Sequence, residues 1–348
     1  GEFAEACDMQ PFYQSPRAST IDSRSVRSDA VGRILPSRNA LVYLGIEIGG
    51  TKLQFGVGSG DGGPVDLQKF TVDRAAGARG ILDRIETAAE ERLRRFPCSA
   101  IGIGFGGPVD AAAGRVLKSH QIDGWDDFPL VEWCRERFGL SCALGNDADL
   151  AALAEARFGA GRGCDPVFYV TVGTGIGGGF VRGGRLYQGH GPAVAEIGHL
   201  RPGLDAAGPD ETVESIASGL AIERAAEPLR AAPPYRSVTG ERLTPREVAA
   251  AAAAGHVPSQ RILDRAVTAL GWAIAQTVTL LAPQVVVVGG GVSLLGEESF
   301  YAPLRRTVDR FVFPPLRETF RVSAPALGET MVVRGALALA RDVVAGQA

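Results

Sequence analysis

Hydrophobic residues near the start of the chain follow a pattern of strand, glycine turn and strand. Two β-rich runs between 41 and 62 flank the tetrapeptide Gly49-Gly50-Thr51-Lys52, and the stretch from 167 to 187 repeats that form around the glycines of 173–179. Glycine lets a backbone turn tightly and lets a ligand approach its N–H groups. The two units begin about 125 residues apart (167 minus 42), which predicts two α/β lobes that each open with a glycine-turned hairpin.

Apolar residues recur at helical spacing in several other segments. The spacing is clearest in the set Ile81, Ile85, Ala89 and Leu93 and in the set Leu150, Ala154 and Phe158. These sets predict a helix at about 78–96 and a second helix that opens at Asn146-Asp147. Further helices are predicted at 211–229, 245–254, 259–281 and near the C-terminus, where Val333, Leu337, Ala340 and Val344 recur. Thr244 and Glu247 predict a capping box at the start of the helix at 245–254.

Residues 1–40 differ in composition from the rest of the 348-residue chain. They are rich in Ser, Arg and Asp and nearly lack hydrophobic periodicity, which predicts a mobile tail. A helix-turn-helix would need two amphipathic helices that this region does not contain. The net charge of −3 and the pI near 5.9 also argue against a dedicated nucleic-acid surface. We therefore expect no nucleic-acid partner.

Apolar runs and cysteines indicate the compartment. The longest apolar stretches are interrupted by polar residues and proline, so we expect no transmembrane helix, no secretory segment and no membrane partner. The five cysteines are odd in number and form no CxxC pair. A reduced, cytoplasmic location is the simplest inference.

Four glycine-rich turns follow predicted strands, at 49–50, 106–107, 173–179 and 289–291. Two stretches match G-x-G-x-x-G, but neither runs from a strand into a helix as a dinucleotide-binding fold requires, and no Walker A motif occurs. Turns walled by backbone N–H groups suit a polyphosphate tail in a cleft between lobes. Thr51 and Lys52 beside the first turn also favour phosphate.

Several acidic and polar residues adjoin these turns. Asp147 lies where a strand ends and a helix begins, so it suits a base for an attacking hydroxyl; helix capping by Asn146 or Asp147 is the alternative. Glu196 and His199 lie three residues apart, and Glu214 follows a short distance downstream. Together these side chains provide the donors and acceptors that a polyhydroxylated ligand requires.

The ordered motifs of the chain resemble the ROK family (repressors, open reading frames, kinases), which are sugar kinases of the actin/hexokinase-like superfamily. The resemblance covers about 41–345 and rests on the motifs IGGTK, GIGFGGPVD, GNDADLAALAEARFGAGRG, VGTGIGGGFVRGGRLYQG, AEIGH, ESIASG and VVVVGGGVS. It implies an α/β fold with two actin-like (ribonuclease H-like) lobes and a central cleft. The small lobe would comprise 41–148 with a C-terminal helix at about 330–348 packing back on it, and the large lobe 149–329.

The resemblance also implies a function and a set of site residues. The expected activity is ATP-dependent phosphorylation of a hexose or N-acetylhexosamine, glucokinase-like at the 6-hydroxyl, within carbohydrate metabolism and glycolysis, by a homodimer. Asp147 would accept the proton of the sugar hydroxyl. The sugar would be held by Asn146, Glu196, His199, Glu214 and Gly107. The phosphates of ATP, with Mg²⁺, would lie on Gly49, Gly50, Thr51, Lys52, Thr174 and Gly175, with the adenosine near Gly290 and Gly291.

The chain departs from the family pattern in three places. Glu47 stands where the family usually has Asp, so a contact to Mg²⁺ through water would have to adjust by about one methylene group. The stretch LRPGLDAAGPDETV contains no cysteine, so we expect no zinc site. Gln121-Ile122-Asp123-Gly124-Trp125 replaces Asn-Leu-Pro-Gly-Trp, a segment that helps to line the sugar site.

Two alternatives to an ATP-dependent kinase stay open. One is a non-catalytic ROK-type sugar sensor related to the repressors, against which the missing helix-turn-helix counts. The other is a kinase that uses polyphosphate as its donor, which a groove rich in Lys and Arg would favour.

Overall fold

The computed structural model describes residues 41–119, 121–191, 193–204, 206, 208–238, 240 and 242–346. Its strands are β1 (Val42–Ile48), β2 (Lys52–Gly58), β3 (Asp66–Thr71), β4 (Cys98–Phe105), β5 (Val109–Asp110), β6 (Arg115–Val116), β7 (Ser141–Asn146), β8 (Val167–Val172), β9 (Ile176–Arg182), β10 (Arg185–Leu186), β11 (Val285–Gly289) and β12 (Arg321–Ser323). Its helices are α1 (Gly77–Arg95), α2 (Leu130–Phe138), α3 (Asp147–Phe158), α4 (Glu214–Ala217), α5 (Gly219–Ala226), α6 (Pro245–Ala253), α7 (Val257–Leu281), α8 (Ala302–Phe311) and α9 (Met331–Val344). The tail predicted for 1–40 lies outside the described residues.

Two five-stranded sheets share one architecture. The first has the order β3-β2-β1-β4-β7 and the second β10-β9-β8-β11-β12. In each sheet an antiparallel hairpin, β1–β2 or β8–β9, continues into two parallel strands. The predicted repeat of a glycine-turned hairpin is therefore confirmed, and each hairpin opens its own sheet.

The parallel strands end together at one edge of each sheet. In the first sheet Ile48 pairs with Phe105, and Phe105 pairs with Asn146. The next residues along these three strands therefore emerge side by side, and they include Asp147. In the second sheet Thr171 pairs with Gly289 close to the ends of β8 and β11. Open α/β sheets bind ligands at the carboxyl ends of their strands, so these two edges are the places to look for a site.

Helix α9 packs between the first sheet and α3, with its closest sheet neighbours in β4 and β1. Glycine makes this approach possible: a Cβ atom on Gly102 would lie 1.9 Å from the carbonyl oxygen of Ala336, and one on Gly335 would lie 2.0 Å from that of Leu150. The C-terminal helix thus lies against the sheet that the start of the chain forms. The lobe boundaries at 148/149 and 329/330 stay a prediction.

The prediction of one continuous helix over 211–229 is wrong. The segment forms α4, α5 and a short 3₁₀ turn, because Ser218 adopts an extended backbone and caps α5 by accepting a hydrogen bond from the N–H of Ala221. The N–H of Gly219 donates to the carbonyl of Gly173 at 2.7 Å. The break therefore holds the start of α5 against the β8–β9 turn.

Other predicted elements agree with the structure. The capping box of Thr244 and Glu247 is present at the start of α6. The predicted helices at 78–96 and 259–281 correspond to α1 and α7. Each sheet has its own apolar cluster, with Phe55 and Ile101 in the first and Phe168 and Val286 in the second. Within the described part of the chain, no helix is both long and apolar enough to span a membrane.

Candidate active site

Asp147 lies at the shared carboxyl edge of β1, β4 and β7. Its Oδ1 and the Oδ1 of Asn146 each accept a hydrogen bond from the N–H of Ala148 at 2.8 Å. Asn146 is therefore the cap of α3, while Asp147 is its first residue. A Cβ atom on Gly106 would lie 3.3 Å from Oδ2 of Asp147 and 3.5 Å from the Cα of Gly49. The carboxylate thus faces the gap between the turns at 49–50 and 106–107.

The environment of Asp147 alters its titration. Burial raises its pKa to about 6, against the opposing effects of the Ala148 hydrogen bond and the positive charge of Lys52. A general base is most effective when its pKa lies near the working pH. Asp147 therefore has both the position and the basicity that abstraction of a proton from a hydroxyl requires.

The residues predicted to bind sugar are connected to this carboxylate through Asn146 and Glu196. The side-chain amide of Asn146 donates to the carbonyl oxygen of Gly107 at 2.8 Å. Burial raises the pKa of Glu196, the nearby His199 opposes that rise, and Glu214 adds to it. Glu196 also acts on the pKa of Asp147, so this carboxylate, from the segment after β10, lies within electrostatic reach of the edge of the first sheet. The structure brings all of these side chains to one region, and their individual roles stay predictions.

The backbone before Glu196 is strained. Ala195 has φ of 59°, a left-handed conformation that a residue with a Cβ atom rarely adopts. A Cβ atom on Gly178 of β9 would lie 2.3 Å from the carbonyl oxygen of Ala195, so the strained peptide is pressed against the sheet. Strain of this kind costs about 1–3 kcal/mol and persists where the surrounding structure fixes it, often at functional sites.

Glu214 contacts the turn between β8 and β9. Its Oε2 accepts a hydrogen bond from the N–H of Ile176 at 2.6 Å, and a Cβ atom on Gly175 would lie 2.5 Å from the same oxygen. The turn is closed by a hydrogen bond from the N–H of Gly173 to the carbonyl of Gly175 at 2.9 Å. Glu214, which is predicted to bind the sugar, therefore also holds the turn that is predicted to bind phosphate.

The β1–β2 turn carries a buried ion pair. Nζ of Lys52 lies 2.9 Å from Oε1 of Glu47, whose side chain is 6% exposed. Among the described residues, Oε2 of Glu47 has no hydrogen-bonding partner. Burial raises the pKa of Glu47, while Lys52 opposes that rise. One carboxylate oxygen is thus bound to Lys52, and the other is buried and unpaired within the described part of the chain.

The residues present fit Mg²⁺ in a limited way. Mg²⁺ prefers oxygen ligands and usually keeps several waters while it binds one or two carboxylates and substrate phosphates. Oε2 of Glu47 is such an oxygen. In the described part of the chain no group of three or more His, Cys, Asp or Glu side chains is arranged to hold a metal ion. Glu47 would therefore serve as one ligand, through water, beside the phosphates of a donor.

A cleft of about 870 Å³ brings together residues of both sheets. Gly173, Thr174 and Gly291 line it from the second sheet, and Arg74 and Gln121 line it from the first. Gly290, next to Gly291, has φ of 91°, and a Cβ atom there would lie 2.5 Å from the backbone of Val172. Glycine backbone therefore forms part of this wall of the cleft, and the contact of Gly290 and Gly291 with an adenosine stays a prediction.

The predicted phosphate turn reaches this cleft indirectly. A Cβ atom on Gly50 would lie 1.8 Å from Oε1 of Gln121, so the glutamine amide occupies the space beside the glycine. Arg74 donates from Nε to the carbonyl oxygen of Gly50 at 2.8 Å and from Nη2 to Oε1 of Gln121 at 3.1 Å. Two side chains therefore separate the backbone of Gly50 from the cleft.

Four residues at the site were not found from the sequence. Arg74, Arg242 and Arg246 line the cleft, and no local pattern distinguishes them from other surface arginines. Asp149 faces a smaller cavity of about 120 Å³ together with Asn146 and Glu196, and burial and the charge of Glu196 raise its pKa to about 7. Its position two residues after Asp147, in the first turn of α3, was the signal that could have identified it.

Arg201 organises the cysteine-free loop at which we expect no zinc site. One of its nitrogens, Nη1, donates to the carbonyl oxygens of Gly208 at 2.8 Å, Pro209 at 2.7 Å and Glu211 at 3.0 Å. The N–H of Val213 then donates to the carbonyl of Leu200 at 2.9 Å, just before α4 begins. A guanidinium group thus ties together the loop between His199 and Glu214. The prediction that no zinc binds there stays a prediction.

This combination of two matched α/β sheets and a cleft with glycine turns defines the class of actin-like sugar-kinase folds. The ROK family profile matches residues 43–343, and the chain belongs to that family. It is similar to the glucokinase of Thermotoga maritima, with 32% identity over 317 residues that cover 88% of this chain and 99% of the relative.

Two solved structures support the same assignment. A ROK hexokinase from Thermus thermophilus matches with a TM-score of 0.77 and 31% identity over 88% of this chain and all of the other. A ROK family glucokinase from Streptomyces griseus, solved in complex with glucose and AMPPNP, matches with a TM-score of 0.71 and 32% identity over 86% of this chain and 99% of the other. The α/β fold with two actin-like lobes and a central cleft is thereby confirmed.

Proposed function

We propose that the protein is an ATP-dependent hexose kinase that phosphorylates the 6-hydroxyl of its sugar, with Asp147 as the general base. The observation that carries this proposal is the place of the Asp147 carboxylate, between the turns at 49–50 and 106–107 and within electrostatic reach of Glu196. The similarity to glucokinases, one of them solved with glucose and AMPPNP, supports the same reaction.

The reaction assigns a role to each part of the site. The sugar hydroxyl gives its proton to Asp147 as its oxygen attacks the γ-phosphorus. A new oxygen–phosphorus bond forms, and the bond from the γ-phosphorus to the bridging oxygen breaks, leaving its electron pair on ADP. The other hydroxyls are held by a set of polar groups that consists of Asn146, Gly107, Glu196, His199 and Glu214.

The donor lies across both glycine turns. The N–H groups around Thr174 and Gly175 and the turn from Gly49 to Thr51 face its phosphates, while Lys52 supplies positive charge. Gly290 and Gly291 adjoin the adenosine. Mg²⁺ would neutralise charge on the phosphate oxygens, and Glu47 would hold it through water. The homodimer and the cytoplasmic location stay predictions.

The test is an ADP-release assay with Mg·ATP and a panel of hexoses and N-acetylhexosamines. We expect turnover with at least one sugar, and a loss of about 10²- to 10⁴-fold in kcat for Asp147→Asn, because loss of a general base has that effect. Asp83→Asn removes an exposed carboxylate of α1 and serves as the matched control. Turnover that is equal in the wild type and Asp147→Asn would contradict the assignment of the base.

The pH dependence gives a second test. Asp147 accepts a proton only when it is ionised, and burial raises its pKa to about 6. We therefore expect kcat/KM to fall as the pH drops through about 6, which is about two units above the ordinary range of an aspartate. A profile that stays flat down to about pH 4.5 would show that the group that titrates in the reaction is not this buried carboxyl.

Polyphosphate is a second candidate for the donor. The observation that favours it is the set of three arginines, Arg74, Arg242 and Arg246, along the wall of the cleft. Linear polyphosphate in place of ATP, with the sugar phosphate as the measured product, separates the two donors. If the wild type binds a sugar by calorimetry but neither donor supports turnover, the protein is a sugar sensor and the kinase proposal fails.

A further inference from the structure

Arg74 is held in place by the backbone beside the β1–β2 turn. It begins a 3₁₀ turn directly after β3, and the side chain of Asp73 caps that turn by accepting from the N–H of Ala75 at 3.0 Å. The N–H of Val72 donates to the carbonyl of Thr51 at 3.0 Å. The chain leading to Arg74 is therefore tied to the predicted phosphate turn.

The guanidinium group of Arg74 joins two parts of the site. Nε donates to the carbonyl oxygen of Gly50 and Nη2 to Oε1 of Gln121. A guanidinium has five N–H groups in a planar fork, so three of them take no part in these two bonds. Because Arg74 is exposed and lines the same cleft as Thr174 and Gly291, those three can reach a ligand there.

Gly50 has no side chain, and Gln121 occupies the space that a side chain there would fill. Its Oε1 accepts a hydrogen bond from Arg74 beside a glycine turn, which is the arrangement that an oxygen of a bound phosphate would have. Gln121 is exposed and its side chain is long, so it can move aside. It also begins the segment 121–125, which we predicted to line the sugar site.

The charges along the cleft favour an anionic ligand. Among the described residues, its lining contains three guanidinium groups and one carboxylate, that of Glu223. Arg74 is the member of this set that contacts the β1–β2 turn, and it faces Thr174 of the second sheet across the cleft. Arginine binds phosphate through two parallel N–H···O bonds, which a lysine cannot reproduce.

We propose that Arg74 is a donor-binding residue: its Nε stays on Gly50, and its Nη2 exchanges Oε1 of Gln121 for a phosphate oxygen of the donor. This inference rests on the proposed function and adds to it a residue that positions the phosphate to be transferred. The exchange frees the amide of Gln121 from its bond to Arg74. Donor binding is thereby linked to the segment that begins at Gln121.

The experiment measures binding of Mg·AMPPNP and of linear polyphosphate by calorimetry, together with KM and kcat. The variants are Arg74→Ala, Arg74→Lys and Gln121→Glu, with Arg79→Ala as the control, because Arg79 is an exposed arginine of α1 that pairs with Asp83. We expect Arg74→Ala to weaken donor binding by about 10- to 100-fold, which corresponds to loss of hydrogen bonds to a charged group. Arg74→Lys should recover part of that loss, and the KM for the sugar should stay within about 2-fold.

Gln121→Glu separates a binding role from a structural one. A glutamate at 121 pairs with Arg74 more strongly than the amide does, so it preserves any structural function of the arginine. If Arg74 binds phosphate, the new carboxylate competes with the donor and weakens its binding by about 10-fold. A Gln121→Glu variant that binds the donor as tightly as the wild type would overturn the proposal.

The remaining outcomes distinguish this inference from the proposed function. If the wild type binds either donor and Arg74→Ala binds it equally well, the assignment of Arg74 is wrong while the kinase proposal stands. If the wild type binds neither Mg·AMPPNP nor polyphosphate, both fail. Thermal unfolding of each variant identifies a loss of donor binding that comes from misfolding. If Arg74→Ala misfolds, donor binding by Arg74→Lys decides whether Arg74 binds the donor.

Discussion

The turns at 49–52 and 173–175 occupy equivalent places in the two sheets, yet their surroundings differ. The first is surrounded by charge, since Lys52 pairs with buried Glu47 and Arg74 donates to Gly50. The second contains no charged residue. It is held by backbone hydrogen bonds and by the carboxylate of Glu214, which accepts from the N–H of Ile176.

This difference shows how one topology serves two purposes. Each hairpin exposes backbone N–H groups at the carboxyl edge of its sheet. In the proposed function, the first turn adds positive charge where the phosphoryl group is transferred, next to Asp147. The second connects the donor to the sugar, because the side chain that holds it also belongs to the sugar-binding set. Substitutions in the two turns should therefore affect different kinetic constants.

Among substitutions in the two turns, the largest expected effect is that of Lys52→Met in the first turn. In the proposed function it removes a positive charge that faces the donor phosphates, and we expect kcat/KM to fall by about 10²- to 10³-fold, as for other preorganised electrostatic groups. Lys52 also lowers the pKa of Asp147, so the acidic limb of the pH profile should move to higher pH. Thr174→Ala, which leaves the backbone of the second turn intact, should cost less than about 10-fold.

A control is needed because Lys52→Met leaves Glu47 buried without its partner. Breaking one half of a buried ion pair destabilises a protein through the charge that remains. The double variant Glu47→Gln with Lys52→Met removes that charge. If the double variant regains full activity, or if Thr174→Ala is as damaging as Lys52→Met, the two turns do not differ as the comparison states.

The next largest effect is expected from substitution of a glycine in each of the two turns. In Gly175→Ala the new Cβ atom would lie 2.5 Å from Oε2 of Glu214, and in Gly50→Ala it would lie 1.8 Å from Oε1 of Gln121. Glu214 can move only by giving up its bond to Ile176, whereas exposed Gln121 can turn away. We expect Gly175→Ala to raise the KM for the sugar by about 10-fold, the cost of one hydrogen bond to a charged group.

For Gly50→Ala we expect a rise of a few fold in the KM for the donor and no change for the sugar, because Gln121 supports Arg74. Steady-state kinetics with each substrate varied in turn provides the measurement. An increase in the KM of the same substrate in both variants would mean that the turns are equivalent.

The fold was predictable where the information is local. Two hairpins with glycine turns were identified because strands and glycines follow one another along the chain, and the capping box at Thr244 because its signal spans only four residues. The break at Ser218 was missed because it depends on a bond between Gly219 and Gly173, 46 residues apart in the sequence (219 minus 173). Helical periodicity contains no information about that contact.

The residues of the candidate site were likewise predictable only where the information is local. Asp147 and the glycines of the turns were predicted because each lies at the end of a strand, and the register of β1, β4 and β7 then brings them together. Arg74 lies on an exposed turn after β3, an edge strand whose alternating exposure gives only a weak signal. Its function depends on the pairing of 72 with 51, which no local pattern specifies.

The smallest expected effect is that of Arg201→Ala. Arg201 lies outside both turns, so this variant tests the difference between them independently. Arg201 binds three carbonyl oxygens of the loop that leads to Glu214, and Glu214 accepts a hydrogen bond from the N–H of Ile176 at the second turn. Without the guanidinium the loop gains freedom, so Glu214 spends less time in its binding position. We expect the KM for the sugar to rise by about 3- to 10-fold, equivalent to about 1 kcal/mol, while the KM for the donor changes little.

Arg201→Lys should recover part of the effect, since an ammonium group can also donate to three oxygens. Arg182→Ala on the exposed side of β9 is the matched control. A rise in the KM for the donor alone would place the influence of this loop on the first turn, and the division between a charged turn and a turn held by Glu214 would then be wrong.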